Sequence, residues 1–287
     1  MAIHMGYMGE CRIDGELIKI SGSTLNPVQT IEAPDLVQGH WMRHAWNYGK
    51  VEVGGNITGP VSENHTSIFD MAFDRAASGD KMANENITIE IAYYQGAGRK
   101  FNGCAINSYE ISVTAGEVAQ FSIDFFGTSP DATTSVEAYT GSNDPVCEKL
   151  ITWDRCAASG TFQGNDQVQA WTFRIDNNMQ RIYKIDPAAA EDLYPVDLLA
   201  GFRDISGTVS VYNDVNVHTG YPIGTFGADN FTDYNASPQE SISFIVGNPA
   251  VITLQANVEF DRVQANAATG PMVVNLTFKG ICLQDGD

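Results

Sequence analysis

Apolar and polar residues alternate through residues 101–127, and this alternation predicts a β-hairpin. Since successive side chains on a strand point to opposite faces, the first predicted strand, 105–113, places every second residue on one face. One face carries Ala105, Asn107, Tyr109, Ile111 and Val113, and the other carries Ile106, Ser108, Glu110 and Ser112. The second strand, 118–126, is apolar at 119, 121, 123 and 125, so one of its faces is expected to pack on a core.

Similar patterns predict strands along the rest of the chain and one clear helix. The helix is expected over residues 62–79, where Ile68, Met71 and Ala72 follow helical spacing. A second, short helix is predicted over residues 188–199. Further strands are predicted at 16–21, 50–59, 87–94, 149–153, 170–176, 205–212, 241–246, 250–260 and 272–281.

The predicted strands recur in the same order in the two halves of the chain. Residues 51–57 correspond to 205–211, 87–93 to 241–246, and the hairpin end 121–127 to 274–280. A stretch rich in Thr, Ser, Asp and Pro, 128–146, separates the halves. We therefore expect two units, residues 1–140 and 141–287, which could occupy two equivalent places in a symmetric ring.

Two long segments are predicted as irregular loops or arms that reach a neighbouring molecule. Residues 31–50 contain Trp41 and Trp46, and residues 213–238 are rich in Gly, Asn and Asp. A loop as long as the second one is seldom without a role in a compact domain.

The composition indicates a folded, acidic body of mainly β-structure. The chain has 287 residues, of which 43% are hydrophobic and only 18% are charged, with Gly, Asn and Thr plentiful. Lys and Arg number 16 and Asp and Glu number 35, a formal net charge of −19, and the acids are spread over both halves. Such a surface repels nucleic-acid phosphates, and solubility is the alternative explanation of the charge.

No pattern in the chain predicts an enzyme or a metal site. GxSxG, P-loop, HExxH and EF-hand patterns do not occur. His40 and His44 have the spacing of helical zinc ligands, but no third ligand accompanies them. Glu110 and Asp124 on paired strands are expected to lie on a solvated face, and residues 176–178 are expected to form a turn. We predict no catalytic residue, no cofactor and no metal.

The cysteines and residues 1–7 indicate the compartment in which the protein is made. Five cysteines, an odd number without a CxxC pair, predict mostly buried free thiols. Residues 1–7 lack the features of a signal peptide, and no apolar run approaches the roughly 18 residues of a membrane span. We expect synthesis in a cytoplasm and no contact with a membrane.

Three stretches resemble a known family. Residues 103–113, Gly116 and residues 121–127 resemble the hairpin of the tail tube (major tail) proteins of tailed bacteriophages. Residues 171–179 and 201–212 are similar to segments of the larger, two-part members. The resemblance extends from about residue 50 to residue 282, and its motifs are structural.

The resemblance implies two tandem tail-tube-like β-sandwich units, each with a flanking short helix, that close into a β-barrel between subunits. Rings would stack into a tube through which DNA passes without specific binding. We expect three chains per ring in pseudo-sixfold order, with a six-chain ring as the alternative. The implied partners are the tape measure protein, the tail terminator, the tail tip or baseplate and, in a contractile tail, the sheath. The implied location is the virion tail, assembled in the host cytoplasm.

Acidic strand residues are the candidates for the channel wall. We expect them at Glu52, Glu90, Glu110 and Asp124. Carboxylates in the channel would repel DNA phosphates, so the DNA would pass through without binding to the channel wall.

Two other functions fit a β-rich chain. One is a secreted or surface β-sandwich module for carbohydrate binding or adhesion, in which Trp41, Trp46, Tyr93 and Tyr94 would stack on sugars. That function predicts a monomer with a secretion signal. The other is a virion spike or capsid-decoration protein, which predicts discrete trimers without end-to-end growth.

Overall fold

The fold is mainly β, as predicted, and is known from a computed structural model. The described residues are 10–32, 47–63, 65–73, 87–92, 98–131, 149–159, 168–184, 193–213, 240–247, 250, 252–260 and 272–283. The candidate arms 31–50 and 213–238 lie largely outside them, as do His40, His44, Trp41, Trp46, Tyr93 and Tyr94.

The described residues before position 132 form eight strands and one helix. They are β1 (Glu10–Ile13), β2 (Glu16–Ile18), β3 (Gly22–Ser23), β4 (Asn26–Glu32), β5 (Asn47–Pro60), α1 (Thr66–Phe73), β6 (Ile87–Ala92), β7 (Gly98–Thr114) and β8 (Gln120–Asp131). The predicted β-hairpin is confirmed as β7 and β8, and the predicted helix is confirmed within α1.

In the described residues after position 148, a turn of 3-10 helix, Trp153–Arg155, is followed by eight strands. They are β9 (Cys156–Ser159), β10 (Val168–Asp176), β11 (Gln180–Ile182), β12 (Asp197–Leu199), β13 (Asp204–Asn213), β14 (Glu240–Val246), β15 (Ile252–Phe260) and β16 (Met272–Leu283).

Two predicted elements are wrong. Residues 149–153 form only isolated bridges, at Leu150 and Thr152, before the 3-10 turn. The described end of the predicted helix 188–199 is a turn followed by strand β12. Leu198 of β12 is buried against the sheet, so a tertiary contact overrides the local helical pattern.

The predicted faces of β7 are correct only in its second half. The register against β8 shifts between Ile106 and Ser108, so β7 carries an extra residue there. As a result Ile106 packs in the main core, whereas Ala105 lies on the opposite face with Met179 and Leu198. A bulge reverses the side-chain alternation, which period-two reasoning cannot anticipate.

The strands pair antiparallel in two series of the same order. In the first series β4 pairs with β5, β5 with β8, β8 with β7, β7 with β6, and β6 with β1. In the second, β10 pairs with β13, β13 with β16, β16 with β15, β15 with β14, and β14 with β9. The two series therefore match strand for strand in chain order.

The match extends to residue pairs across the strands. Val53 faces Gly127 and Gly55 faces Phe125, and their counterparts are Ile205 facing Gly280 and Gly207 facing Phe278. In both series a glycine therefore lies opposite an aromatic residue.

Gly207 is required by close packing. A Cβ atom there would clash with the carbonyl oxygen of Thr172 and with the Phe278 ring. We expect Gly207→Ala to lower the free energy of unfolding by about 1–3 kcal/mol, because both neighbours belong to a packed sheet. Chemical denaturation measures this, with Ser206→Ala on the other face as a control expected to change it by less than about 0.5 kcal/mol. Equal effects of the two substitutions would contradict the packing argument.

One junction joins the two series into a continuous sheet. Residues Ser108–Thr114 of β7 pair antiparallel with Ala170–Asp176 of β10. Strand β7 can pair with β10 here because β6 pairs only with the first part of β7, up to Cys104. Among the described residues, the path of strand pairing does not close on itself.

The core lies on one side of this sheet. Strand β14 folds back over it, and the ring centroid of Phe244 lies 4.7 Å from that of Trp171 and 5.8 Å from that of Phe278. Helix α1 covers β7, with Phe69 and Tyr109 in edge contact at 5.7 Å. The opposite side of the sheet carries mainly polar side chains, apart from a small apolar cluster of Ala105, Met179 and Leu198.

Candidate functional site: the polar face of the sheet

Six adjacent strands present polar side chains on the side away from the core. The order of these strands is β5, β8, β7, β10, β13 and β16. The side chains, here called the polar face, are those of Asn56, Ser108, Glu110, Ser112, Ser122, Asp124, Thr172, Arg174, Asp176, Asp204, Ser206, Thr208, Ser210, Asn275, Thr277 and Lys279. They alternate with buried residues such as Phe121, Phe173 and Phe278, since the side-chain period is two.

Asp124 is held by neighbours on both sides. Its Oδ1 accepts a hydrogen bond from Asn56 Nδ2 at 2.9 Å, and its Oδ2 accepts one from Ser108 Oγ at 2.9 Å. Asn56 also donates to Ser122 Oγ at 2.8 Å. The carboxylate is therefore fixed in place by cross-strand bonds.

Arg174 lies among carboxylates. Its Nε and Nη2 donate to the two oxygens of Asp176, each at 2.8 Å, and its Nη1 lies 3.6 Å from Glu110 Oε2. The hydrogen bond to Asp176 is the main cause that raises the pKa of Arg174. The guanidinium is thereby engaged and is a poor phosphate ligand.

The rest of the polar face is mainly neutral. The hydroxyl oxygens of Thr172 and Thr208 lie 2.9 Å apart, and Ser210 Oγ donates to Asn275 Oδ1 at 2.6 Å. The described carboxylates Glu110, Asp124, Asp176 and Asp204 outnumber the cations Arg174 and Lys279. Such a wall is hydrated, mildly acidic and without a cationic cluster.

A comparison with protein families identifies the molecule. A sequence model of the phage tail tube protein family matches residues 9–280, nearly the whole chain. The chain belongs to this family. The resemblance found in the hairpin residues is thereby confirmed. A comparison with curated proteins found no match.

Membership of the tail tube family fixes the broad role. The protein is a structural component of a phage tail, and the family implies self-assembly into a tube and a non-enzymatic role. In the part of the chain that the structure describes, no helix is long and apolar enough to cross a membrane.

The four predicted acids of this tail tube protein share one side of the sheet but differ in surroundings. Glu110 and Asp124 lie on adjacent strands within the polar face. Glu52 is paired with Lys50 Nζ at 2.6 Å, and this hydrogen bond is the main cause that lowers the pKa of Glu52. Glu90 is paired with Lys100 at 2.9 Å. Neighbouring cations thus offset the charge of Glu52 and Glu90.

A short ribbon that the sequence did not reveal covers one end of the polar side. Strands β11 and β12 pair with each other, and the Arg181 guanidinium lies 3.7 Å from the centroid of the Phe126 ring. Arg181 Nη2 also donates to the carbonyl oxygen of Val53 at 3.1 Å. Gly54 in β5 is the sequence feature that could have indicated a close contact here, because a Cβ at this position would lie 2.9 Å from Arg181 Nη2.

The turn after β10 positions this ribbon. Asn177 is buried, and its Nδ2 donates to the carbonyl oxygens of Ile106 at 2.9 Å and Ala72 at 3.2 Å. Its Oδ1 accepts from Arg203 Nε at 3.0 Å. Asn178 has a positive φ of 49°. Of the predicted turn 176–178, Asp176 belongs to β10, and only Asn177 and Asn178 lie between strands. Asn177 links this segment to the β7 bulge and to α1.

Proposed function

We propose that three copies of this chain form each ring of the tail tube, with units 1–140 and 141–287 in pseudo-sixfold order. Each unit is a β-sandwich, and the six units close into one barrel between subunits. The observation that carries this proposal is the junction of β7 with β10 inside one chain, together with the open edge at the corresponding place in the first unit.

Strands β3 and β4 hold that open edge. They flank β5 on the side where β10 flanks β13. The other side of β10 is occupied by β7, whereas among the described residues β3 and β4 pair only with β5. We infer that a strand of a neighbouring copy pairs with this edge as β7 pairs with β10, which would continue the sheet from one subunit to the next.

The polar face would line the channel. Its acids repel DNA phosphates, its hydroxyl and amide groups keep the wall hydrated, and Arg174 is occupied by carboxylates. DNA would therefore pass during ejection into the host cell without being held. The tape measure protein, terminator, tail tip or baseplate and, in a contractile tail, a sheath are the proposed partners, with assembly in the host cytoplasm.

Electron microscopy of the purified protein tests the arrangement. We expect tubes with a central channel and rings in which three chains give six similar lobes. A ring of six complete chains would reject the three-chain arrangement. Particles that stay monomeric at every concentration and ionic strength, even with tail-tip complexes added, would contradict the proposal as a whole.

Proline substitutions in β4 test the edge. Successive backbone N–H groups of a strand point to opposite sides, and proline has no N–H group to donate. Of the two neighbouring variants Val28→Pro and Gln29→Pro, one therefore loses a hydrogen bond to β5. The other loses a hydrogen bond at the open edge. We expect one variant to lose thermal stability, and the other to keep the monomer's melting temperature yet form no rings. Size-exclusion chromatography and thermal melts measure both. Ring formation by both variants would contradict pairing at this edge.

A further inference from the structure

The open edge held by β3 and β4 is the counterpart of strand β10. The residues that pair with β5 at this edge match, one to one, those that pair with β13. The matching pairs are Gly22–Thr58 with Ala170–Ser210, Asn26–Gly54 with Arg174–Ser206, and Val28–Glu52 with Asp176–Asp204. Residues 22–28 therefore correspond to residues 170–176 at a constant spacing of 148 positions.

Side chains repeat this correspondence. Thr24 Oγ1 accepts a hydrogen bond from a backbone N–H of β5 at 3.0 Å, and Thr172 Oγ1 accepts one from the equivalent N–H of β13 at 3.1 Å. Leu25 is buried, as is Phe173 at the equivalent position. The edge is therefore built like β10, but β10 also pairs with β7, whereas among the described residues β3 and β4 pair with β5 alone.

The counterpart of β7 in the second series is β15, whose described part ends at Phe260. Phe260 pairs with Phe278 as Ile106 pairs with Phe125. The connection from Ile106 to Phe125 contains 18 residues, and that from Phe260 to Phe278 contains 17. The second connection therefore has the length to continue its strand and turn back, as β7 and β8 do.

The sequence after β15 also repeats the alternation of β7. The part of β7 that pairs with β10 is Ser108–Thr114, and its equivalent is 262–268. Both segments alternate polar residues with apolar or aromatic ones at matching positions. The polar ones are Ser108, Glu110, Ser112 and Arg262, Gln264, Asn266, and the others are Tyr109, Ile111, Val113 and Val263, Ala265, Ala267. A strand with this pattern can join a sheet that has one polar side and one core side.

The backbone of the open edge allows a partner strand. Successive residues of a strand direct their N–H groups to opposite sides, and the N–H of Asn177 donates to the carbonyl oxygen of Asn107 in β7. The equivalent odd-numbered positions of the edge therefore direct theirs outwards. The N–H of Leu25 donates to Ser23 Oγ at 3.3 Å, a local bond that a partner strand can replace. Pro27 has no N–H, which is typical of an edge strand.

We propose that residues 262–268 of one copy pair antiparallel with residues 22–28 of the next copy in the ring, in the register that β7 and β10 adopt within the chain. This inference rests on the proposed three-chain ring and names the segment and the register that join its subunits. Position 24 then faces 266, position 26 faces 264, and position 28 faces 262. The contact is head-to-tail, so three identical contacts close the ring.

Paired cysteines test the register. Val28→Cys with Arg262→Cys places two thiols at facing positions, where the Cα spacing of roughly 4.5–5.5 Å between antiparallel strands suits a disulfide. Val28 is 59% exposed, so its replacement leaves the core intact. Oxidised rings of this variant should give linked dimers and trimers on a non-reducing gel. The matched control, Val28→Cys with Val263→Cys, moves the second thiol to the opposite face and should give no more linkage than the unchanged protein.

Each outcome of the trap bears on a different step. Rings that form without the linkage, or equal linkage in the control, would overturn the inference alone. A disulfide within single chains, seen as monomers of altered mobility without dimers, would do the same. Thr24→Cys with Asn266→Cys follows the same register and must give the same linked species. Absence of rings from the unchanged protein would overturn the proposed function, and this inference with it.

A charge pair tests the same register through assembly. Positions 26 and 264 correspond to Arg174 and Glu110, whose side chains lie 3.6 Å apart where β7 meets β10. Asn26→Arg with Gln264→Glu copies this ion pair and should lower the concentration needed for ring formation by about two- to fivefold. Asn26→Glu with Gln264→Arg has the same net charge and should act alike.

Like charges at the same two positions are the opposite case. Asn26→Glu with Gln264→Glu should raise the concentration needed for ring formation by about two- to fivefold, since like charges directly opposite each other repel. Size-exclusion chromatography over a dilution series measures all three variants. Equal assembly by the like-charged and the oppositely charged variants would overturn the proposed register.

Discussion

Lysine at three neutral positions of the polar face is expected to leave tube assembly intact and to make the channel hold DNA. The positions are Ser112, Ser206 and Thr277, on three different strands and none of them fully buried. With three copies in a ring, and rings repeated along the tube, the substitutions would line the proposed channel with cations. Phosphate contacts release counterions, so binding gains a steep dependence on salt.

Purified tubes and short duplex DNA provide the measurement. We expect the unchanged tubes to show no retention of DNA. The lysine variant should bind DNA with an affinity that falls by roughly a thousandfold or more between about 50 and 200 mM salt. Phage that carry this variant should release their DNA slowly or incompletely.

Matched variants separate charge from shape at the same three positions. Glutamine has similar length without charge, and glutamate keeps the sign of the natural wall, so both should leave DNA release unchanged. If the glutamine variant blocks release as strongly as the lysine variant, side-chain size matters and the electrostatic argument fails. If the lysine variant releases DNA normally, this face does not line the channel.

Acidification is expected to destabilise the subunit through one buried histidine. His65 is 2% exposed and packs on Phe121, with ring centroids 4.4 Å apart. Its Nε2 has no hydrogen-bond partner among the described residues. Burial lowers the pKa of His65 from 6.5 to about 3. The folded state therefore strongly favours the neutral imidazole.

The sign of the effect follows from this lowered pKa. Above pH 6.5 the imidazole is neutral in both states, and the contribution of His65 to stability is fully present. As the pH falls from 6.5 towards 3, His65 becomes protonated in the unfolded chain but stays neutral in the folded chain. The free energy of unfolding therefore decreases. Each pH unit removes up to about 1.4 kcal/mol, and by pH 4.5 the loss is about 2–3 kcal/mol.

Urea denaturation of unassembled subunits at pH 7, 5.5 and 4.5 measures this loss. His65→Phe keeps an aromatic ring against Phe121 and Tyr109 but cannot be protonated, so its stability should change less over the same interval. Because the carboxylates are common to both proteins, the difference between the two pH profiles isolates His65. Identical profiles would show that the buried imidazole is not the source of acid sensitivity.

Much of the strand content could be predicted because buried and polar positions alternate without interruption. In β8 the residues Phe121, Ile123 and Phe125 are all buried, as the alternation predicts. The same holds in β10, where Trp171 and Phe173 point to the core. Where the ladder is regular, the period of two fixes which side chains share a face, and no distant residue is needed to decide it.

The alternation of side chains could not predict the bulge in β7, the strand β12 or the ion pairs of the acidic residues. The extra residue at the β7 bulge exchanged the faces of Ala105 and Ile106, because a bulge depends on the partner strand. Residues 197–199 became a strand instead of the end of a helix, because Leu198 is buried next to Met179 and Ala105. Charge alone also did not show that Lys50 and Lys100 pair with Glu52 and Glu90.

The sequence by itself determined the family, the main strands and the alternation that separates a polar side from a core. These properties are local, since they depend on residues close together in the chain. Only the tertiary structure decided that β7 pairs with β10 and that, in the described part of the chain, β3 and β4 pair only with β5. These features join residues that are far apart in the chain, and pairing between distant strands is selected by the packing of the whole sheet rather than by local preference.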